Sequence, residues 1–186
     1  CDDLSSIDGV SGTAKFDPES KTLTLDNATI STSVIKFPGL ENSIKGLTIR
    51  LIGDNTITSE NYWGLFNNTE RSITFTGSGK LTVNGSTTAP QTGYRRAIFN
   101  WGTIVVDGCT LEANGGVYGI GSGFWKFVNC NVRTKGGGGS QSDEYAGSLT
   151  WMWDKEPEFV GCKITSPAGV SWKKFQNNGY DNYVLV

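Results

Sequence analysis

The sequence contains no histidine. Histidine is the usual general base near neutral pH and the commonest zinc ligand, so its absence excludes Ser-His and Cys-His nucleophile pairs and histidine-based zinc sites. Any catalysis would rest on carboxylates, lysine, arginine or tyrosine. A dominant charge is also lacking, because 16 basic and 18 acidic residues leave a net charge of −2. No overall field therefore points to nucleic acid as a partner.

Long apolar runs are absent as well. None approaches the roughly 20 residues that a membrane-spanning helix needs, and helical spacing of apolar residues is not sustained anywhere. Short stretches rich in β-branched residues predict strands instead. These stretches are residues 22–25, 47–52, 73–75, 81–83 and 104–106. Glycine, asparagine, aspartate and serine separate them, as is typical of tight bends.

A degenerate repeat organises these strands. Six copies each run from a short strand, through a bend of small or polar residues, to a new aliphatic residue, and successive copies are 21 to 32 residues apart. The aliphatic positions are Ile30, Ile57, Leu81, Leu111, Val132 and Ile164. The small residues two positions earlier are Ala28, Asn55, Gly79, Cys109, Cys130 and Cys162. This repeat predicts an all-β fold, a right-handed single-stranded parallel β-helix of about six irregular coils.

A second column of small-then-apolar pairs supports stacked coils. Its members are Ser43-Ile44, Gly64-Leu65, Ala97-Ile98, Gly119-Ile120 and Ser148-Leu149. We expect one domain over residues 1–186, with an N-terminal entry or cap at 1–22, coils at 23–166 and a capping segment at 167–186. The alternative architecture is an antiparallel sandwich, which would require hairpin turns between clear strands.

The segment from Phe16 to Ile30 resembles the opening of a β-helix module that recurs in secreted and surface proteins of gut bacteria of the Bacteroidetes type. Residues 47–57, 77–81 and 107–113 also match that module. The resemblance covers the chain up to about Ser166. It implies a β-helix in a secreted or cell-surface setting, with adhesin-like or carbohydrate-binding relatives, and it supplies no catalytic motif.

The cysteines raise two separate questions. Cys109, Cys130 and Cys162 share one column, which predicts a buried structural stack of free thiols, with a disulfide between Cys109 and Cys130 as the alternative. Cys1, followed by two aspartates, resembles the lipid-modified N-terminus of a bacterial lipoprotein. We favour truncation of a longer protein over a lipid anchor.

The aromatic residues supply the candidate binding site. Trp63, Trp101, Trp151 and Trp153 lie at or near the second column, and alternation along a strand would place Trp151 and Trp153 on one face. With Tyr62 and Asp154 beside them, these rings could stack on the flat faces of sugars. The alternatives are that they pack beneath long loops or form a subunit interface.

These observations favour a non-catalytic extracellular module that binds a polysaccharide or a host glycan. The first alternative is a structural or adhesive spacer that contacts neighbouring modules of a longer protein. The second is a polysaccharide lyase or glycoside hydrolase, because such enzymes use β-helices with clustered carboxylates. The candidate acids are Asp143, Glu144, Asp154, Glu156 and Glu158. No cofactor is expected, with calcium as the alternative.

Overall fold

The computed structural model describes residues 2–137, 146–166, 168–177 and 179–186. Cys1, Asp143 and Glu144, which sequence analysis singled out, lie outside these residues. The chain opens with three strands, namely β1 (Asp2–Asp3), β2 (Val10–Asp17) and β3 (Thr22–Thr32). They form an antiparallel entry in which β2 pairs with both β1 and β3. The Asp17 carboxylate accepts hydrogen bonds from Glu19 N and Ser20 Oγ and so shapes the turn between β2 and β3.

Short strands then follow one another in triplets. They are β4 (Leu40–Asn42), β5 (Leu47–Ile52), β6 (Asp54–Ser59), β7 (Leu65–Asn67), β8 (Ser72–Gly77), β9 (Lys80–Asn84), β10 (Arg96–Asn100), β11 (Thr103–Asp107), β12 (Thr110–Asn114), β13 (Tyr118–Gly121), β14 (Phe124–Val128), β15 (Asn131–Lys135) and β16 (Leu149–Thr150). A 3₁₀ turn at Thr92–Tyr94 lies within the connection between β9 and β10. The chain ends with β17 (Met152–Trp153), β18 (Glu158–Val160), β19 (Trp172–Asn177) and β20 (Tyr180–Leu185).

Equivalent strands of successive triplets pair in parallel. The first half of β3 leads a row that continues through β5, β8, β11, β14 and β18, which we call face one. The second half of β3 leads face two, through β6, β9, β12 and β15. Strands β4, β7, β10, β13 and β16 form face three. This arrangement confirms the predicted all-β fold with parallel strands and is compatible with a β-solenoid.

The register corrects one part of the predicted repeat. Ile30 pairs with Ile57 and Leu81 with Leu111, as expected, but Ile57 pairs with Val83 rather than with Leu81. Asn55 takes the position opposite Leu81. A shift of two residues leaves every side chain on its original side of a strand. The alternation of apolar residues therefore cannot distinguish the two registers.

The second column is also corrected at its first member. Leu65, Ile98, Ile120 and Leu149 occupy equivalent positions on face three, as the sequence predicted. Their partner on the first strand is Leu40, so the opening pair is Gly39-Leu40 and not Ser43-Ile44. A Cβ atom on Gly39 would lie 2.7 Å from the carbonyl oxygen of Gly64, so the tight approach between adjacent turns favours glycine there.

The core consists of inward ladders of apolar side chains. On face one, Ile73 and Ile104 align with Trp125, which is only 3 % exposed. Trp125 stacks on Phe127 with ring centroids 6.0 Å apart, and its indole Nε1 donates to Ser122 O at 2.8 Å. At least one tryptophan therefore belongs to the core and is unavailable as a surface platform.

An antiparallel unit packs against the C-terminal end of the parallel faces. Strand β20 pairs with both β17 and β19, and Trp172 and Tyr183 pack against the core from this unit. Strands β15 and β18 are the last members of faces two and one. The parallel pairing of faces one and two thus ends near Cys130 and Cys162.

Candidate functional site

The outer side of face three carries a group of aromatic side chains. Phe66 on β7 and Phe99 on β10 are paired in the sheet, with neighbours that point into the core. Four further rings surround these two phenylalanines. We call the whole group the aromatic cluster, and its members are Tyr62, Trp63, Phe66, Tyr94, Phe99 and Trp101.

Edge-to-face and tilted contacts hold the cluster together. The centroid of Trp63 lies 4.9 Å from that of Phe66 and 4.5 Å from that of Phe99. Trp101 contacts the same two rings from another side, at 5.4 and 5.2 Å. These separations are in the range that aromatic pairs prefer. The structure therefore brings together Tyr62, Trp63 and Trp101 through two phenylalanines that sequence analysis did not single out.

Exposure within the cluster is uneven. Trp101 is 40 % exposed, whereas Phe66 beneath it is 8 % exposed. Trp63 is partly buried, because the connection between β9 and β10 passes over it and Gly93 O accepts a hydrogen bond from its Nε1 at 2.8 Å. Tyr94 of the same connection contacts Tyr62 at 4.6 Å. Trp101 is consequently the member that offers the most ring surface to a ligand.

Charged groups border the aromatic cluster. Glu41 on β4 is paired with Phe66 in the sheet. The guanidinium of Arg96 lies 4.5 Å from the centroid of Phe99 and 4.2 Å from that of Tyr118, an arrangement typical of cation–π contacts. Burial raises the pKa of the Tyr62 hydroxyl, and the nearby Tyr94 and Glu41 raise it further. At neutral pH this hydroxyl is therefore protonated and can donate a hydrogen bond.

A ladder of buried asparagines positions Trp101, and sequence analysis missed it. Asn42 Nδ2 donates to Asn67 Oδ1 at 2.8 Å, and Asn67 Nδ2 donates to Asn100 Oδ1 at 2.7 Å. Asn100 Oδ1 also accepts from Gly102 N, immediately after Trp101, at 2.9 Å. Trp101 N itself donates to Asn67 O. Three successive face-three strands each end in an apolar residue, a variable residue and an asparagine. This repeated pattern is the sequence signal that could have indicated the ladder.

Trp151, Trp153 and Asp154 lie in a different region, at the C-terminal end. Trp151 adopts a left-handed backbone conformation with φ of 57°, so the strand alternation that would put it on one face with Trp153 is broken. Its ring contacts Phe175 of β19 at 5.0 Å, whereas Trp153 contacts Phe124 at 6.4 Å. Asp154 is exposed and its backbone N donates to Asp181 O. The predicted shared face of Trp151 and Trp153 is therefore wrong.

Among the described carboxylates near these tryptophans, Glu158 is held in ion pairs. Glu158 contacts Lys155 at 2.6 Å and Lys126 at 3.7 Å. The hydrogen bond and the charge of Lys155, with a further contribution from Lys126, lower the pKa of Glu158. A general acid needs the opposite shift. Glu156 is exposed.

The cysteine column differs in burial along its length. Cys109 is 4 % exposed, but Cys130 and Cys162 are only partly buried, because faces one and two end there. All three are free thiols. Burial raises the pKa of Cys109 to about 11, and burial together with the neighbouring Cys162 raises that of Cys130 to about 12. At neutral pH, Cys109 and Cys130 are therefore uncharged.

Within the part of the chain that the structure describes, no group of three or more His, Cys, Asp or Glu side chains is arranged to hold a metal ion. None of the described segments forms a helix that could cross a lipid bilayer. Comparisons of this chain with protein-family models, with curated proteins and with solved structures find no significant match.

Proposed function

We propose that this protein is a non-catalytic extracellular module that binds a polysaccharide or a host glycan on the outer side of face three. The observation that carries the proposal is the aromatic cluster, with Trp101 exposed above Phe66 and Phe99. An aromatic ring presented by rigid strands can stack on the apolar face of a sugar. The asparagine ladder fixes the backbone on both sides of Trp101 and limits the entropy lost on binding.

The polar border of the cluster suits a neutral or weakly charged sugar. Glu41 and the Tyr62 hydroxyl lie beside the rings, so an acceptor and a donor of hydrogen bonds are available to sugar hydroxyls. A single shallow platform binds weakly. Several modules in one longer protein would raise the apparent affinity through effective concentration.

Three further expectations belong to this proposal. The parallel faces would form a right-handed helix, as crossover connections almost always do, with β18 and the residues after it as the sixth of about six coils. The resemblance to modules of gut-bacterial proteins supports a secreted or cell-surface location. Sugar binding would need no cofactor, and calcium enters only as a condition to vary in the assay.

The test is direct measurement of glycan binding. We would screen the protein on a glycan array and by pull-down with insoluble polysaccharides, with calcium and with a chelator, and then titrate each hit by calorimetry. Trp101→Ala should weaken binding at least tenfold, about 1.4 kcal/mol, because the main stacking surface is lost. Tyr180→Ala is the matched control, since Tyr180 is 69 % exposed and lies on β20, outside the cluster.

Absence of binding to every glycan, or equal affinities of Trp101→Ala and the wild type, would rule out this site. The same incubations should be analysed for new reducing ends and unsaturated sugars. Those products would indicate a lyase or a hydrolase instead. The wild type and the Trp101→Ala variant must give the same circular dichroism spectrum for the comparison to be valid.

A structural or adhesive spacer is the second candidate. This function is favoured because three other tryptophans are shielded from solvent. Trp125 is in the core, Trp63 lies under a loop and Trp151 packs on Phe175. Acrylamide quenching distinguishes the two functions. The fluorescence of Trp101 is the part of the signal that Trp101→Ala removes. A bound glycan should protect this part from quenching by acrylamide. In a spacer, the same part should be quenched equally with and without every glycan tested.

A further inference from the structure

The three column cysteines occupy equivalent positions on successive turns. Asp107 pairs with Val128, and Val128 pairs with Val160. Each of these residues is followed by one bend residue and then a cysteine, namely Cys109, Cys130 and Cys162. Adjacent parallel strands are about 4.8 Å apart, which is within the Cα separation that a disulfide spans. Backbone spacing alone therefore permits two different pairings.

Side-chain contacts distinguish the two pairings. Cys162 Sγ donates to Phe127 O at 3.3 Å, and Phe127 lies on β14, the strand that leads to Cys130. The Cys162 sulfur therefore lies against the turn that carries Cys130. Cys109 is enclosed instead, at 4 % exposure. Its carbonyl oxygen accepts a hydrogen bond from Asn131 N, and the backbone N–H of the next residue donates to Gly79 O.

Solvent access also favours the second pair. A cavity of about 760 Å³ opens at the C-terminal end of the solenoid, and both Cys130 and Cys162 line it, together with Val132, Ile164 and Leu185. Cys109 does not line this cavity. A small oxidant can thus reach the outer two sulfurs while the first is shielded.

The chain directly after Cys162 lies outside the sheets. By register, residues 163–165 are the counterpart of β15, yet they form no strand, and within the described residues β15 pairs only with β12. The cavity lies between β15 and this segment, since residues of both line it. A covalent link at Cys162 would fix the segment at its first residue.

We propose that Cys130 and Cys162 form a redox site that becomes a disulfide on exchange with a low-molecular-weight disulfide, while Cys109 stays a thiol. One protein thiol loses its proton to the buffer, and its sulfur attacks a sulfur of the small disulfide, forms a mixed disulfide and releases one small thiolate. The second protein thiol then loses its proton, attacks the protein sulfur of that mixed disulfide and releases the other small thiolate. Two protein thiols lose two protons and two electrons, and the small disulfide becomes two thiols.

Tryptic mapping tests the pairing without any substitution. Cleavage after lysine and arginine places Cys109 in peptide 97–126, Cys130 in 127–133, Cys162 in 156–163 and Cys1 in 1–15. The native protein would be incubated with oxidised glutathione, its remaining thiols blocked with N-ethylmaleimide, and the digest analysed by mass spectrometry. We expect peptides 127–133 and 156–163 to be joined, and peptide 97–126 to carry the maleimide.

The stability of the oxidised form provides a second readout. The midpoint of thermal unfolding should rise by several degrees on oxidation and return on reduction, because the link restricts the unfolded chain. Cys162→Ser should abolish this shift, whereas Cys109→Ser should retain it. Three results for the wild-type digest would overturn the proposal. They are a link between peptides 97–126 and 127–133, links only to Cys1, and no internal link at all.

Discussion

Two columns of equivalent residues each close a bend between two faces, one in the early turns and the other in the later turns. Asn42, Asn67 and Asn100 close the bend from face three to face one in the early turns, and their side-chain amides are buried and hydrogen-bonded. The column that ends in Cys109, Cys130 and Cys162 closes the bend from face one to face two in the later turns, with small thiols and few bonds. Amide side chains specify one geometry, whereas thiols only fill space. The asparagine bend should therefore be the less tolerant of substitution.

The largest expected effect is at the centre of the asparagine column. Asn67 Nδ2 donates to Arg71 O and Asn100 Oδ1, and its Oδ1 accepts from Asn42. Asn67→Ala would leave several buried partners unsatisfied and should lower the free energy of unfolding by about 3 kcal/mol or more. Urea denaturation at constant m-value measures this loss.

Asn68→Ala is the control for that substitution. Asn68 is the next residue and its side chain accepts one exposed hydrogen bond, from Thr69 N. Its replacement should cost under about 1 kcal/mol. Equal losses at the two positions would show that the ladder does not stabilise the early turns more than an ordinary bend does.

An intermediate effect is expected from Cys109 at alkaline pH. The pKa of Cys109 is raised to about 11 in the folded protein, mainly by burial, from an ordinary value of 9.0. Below pH 9 the thiol is protonated in both states and stability is unaffected. Between pH 9 and 11 the unfolded chain releases this proton while the folded chain keeps it, so stability falls as the pH rises.

The measurement is the free energy of unfolding at pH 8 and at pH 10.5, in the wild type and in Cys109→Ala. The wild type should lose about 2 kcal/mol more than the variant, since one pKa unit corresponds to about 1.4 kcal/mol. The variant removes the contribution of Cys109 and leaves the titration of lysines and tyrosines in place. Parallel losses in the two proteins would mean that Cys109 is not shielded from solvent.

The smallest effect is expected at the open end of the cysteine column. Cys162 is partly exposed and its sulfur makes one long hydrogen bond, to Phe127 O. In the reduced protein at pH 7, Cys162→Ala should lower the free energy of unfolding by less than about 0.5 kcal/mol, against about 1 kcal/mol or more for the buried Cys109→Ala. Thermal unfolding in the presence of a reductant compares the two variants, and a cost at Cys162 as large as at Cys109 would indicate a tightly packed end.

The aromatic residues show where prediction from sequence was successful and where it was not. Trp63 and Trp101 were selected because they lie beside the second column, and the structure places both in one cluster. Trp151 and Trp153 were selected by the same argument, but a left-handed residue at Trp151 separates them. Phe66 and Phe99 were not noticed, because a phenylalanine in a strand is as typical of a core as of a surface.

The sequence by itself determined the short strands, the bends between them and the stacking of like residues, because these depend on local propensity and on the period of two along a strand. Tertiary structure alone decided the register between Ile57 and Val83, since a two-residue shift keeps the same faces. It also decided which tryptophan lies in the core, which loop covers Trp63, and that Cys130 and Cys162 line one cavity. Each of these depends on contacts between residues far apart in the chain, and no local pattern records them.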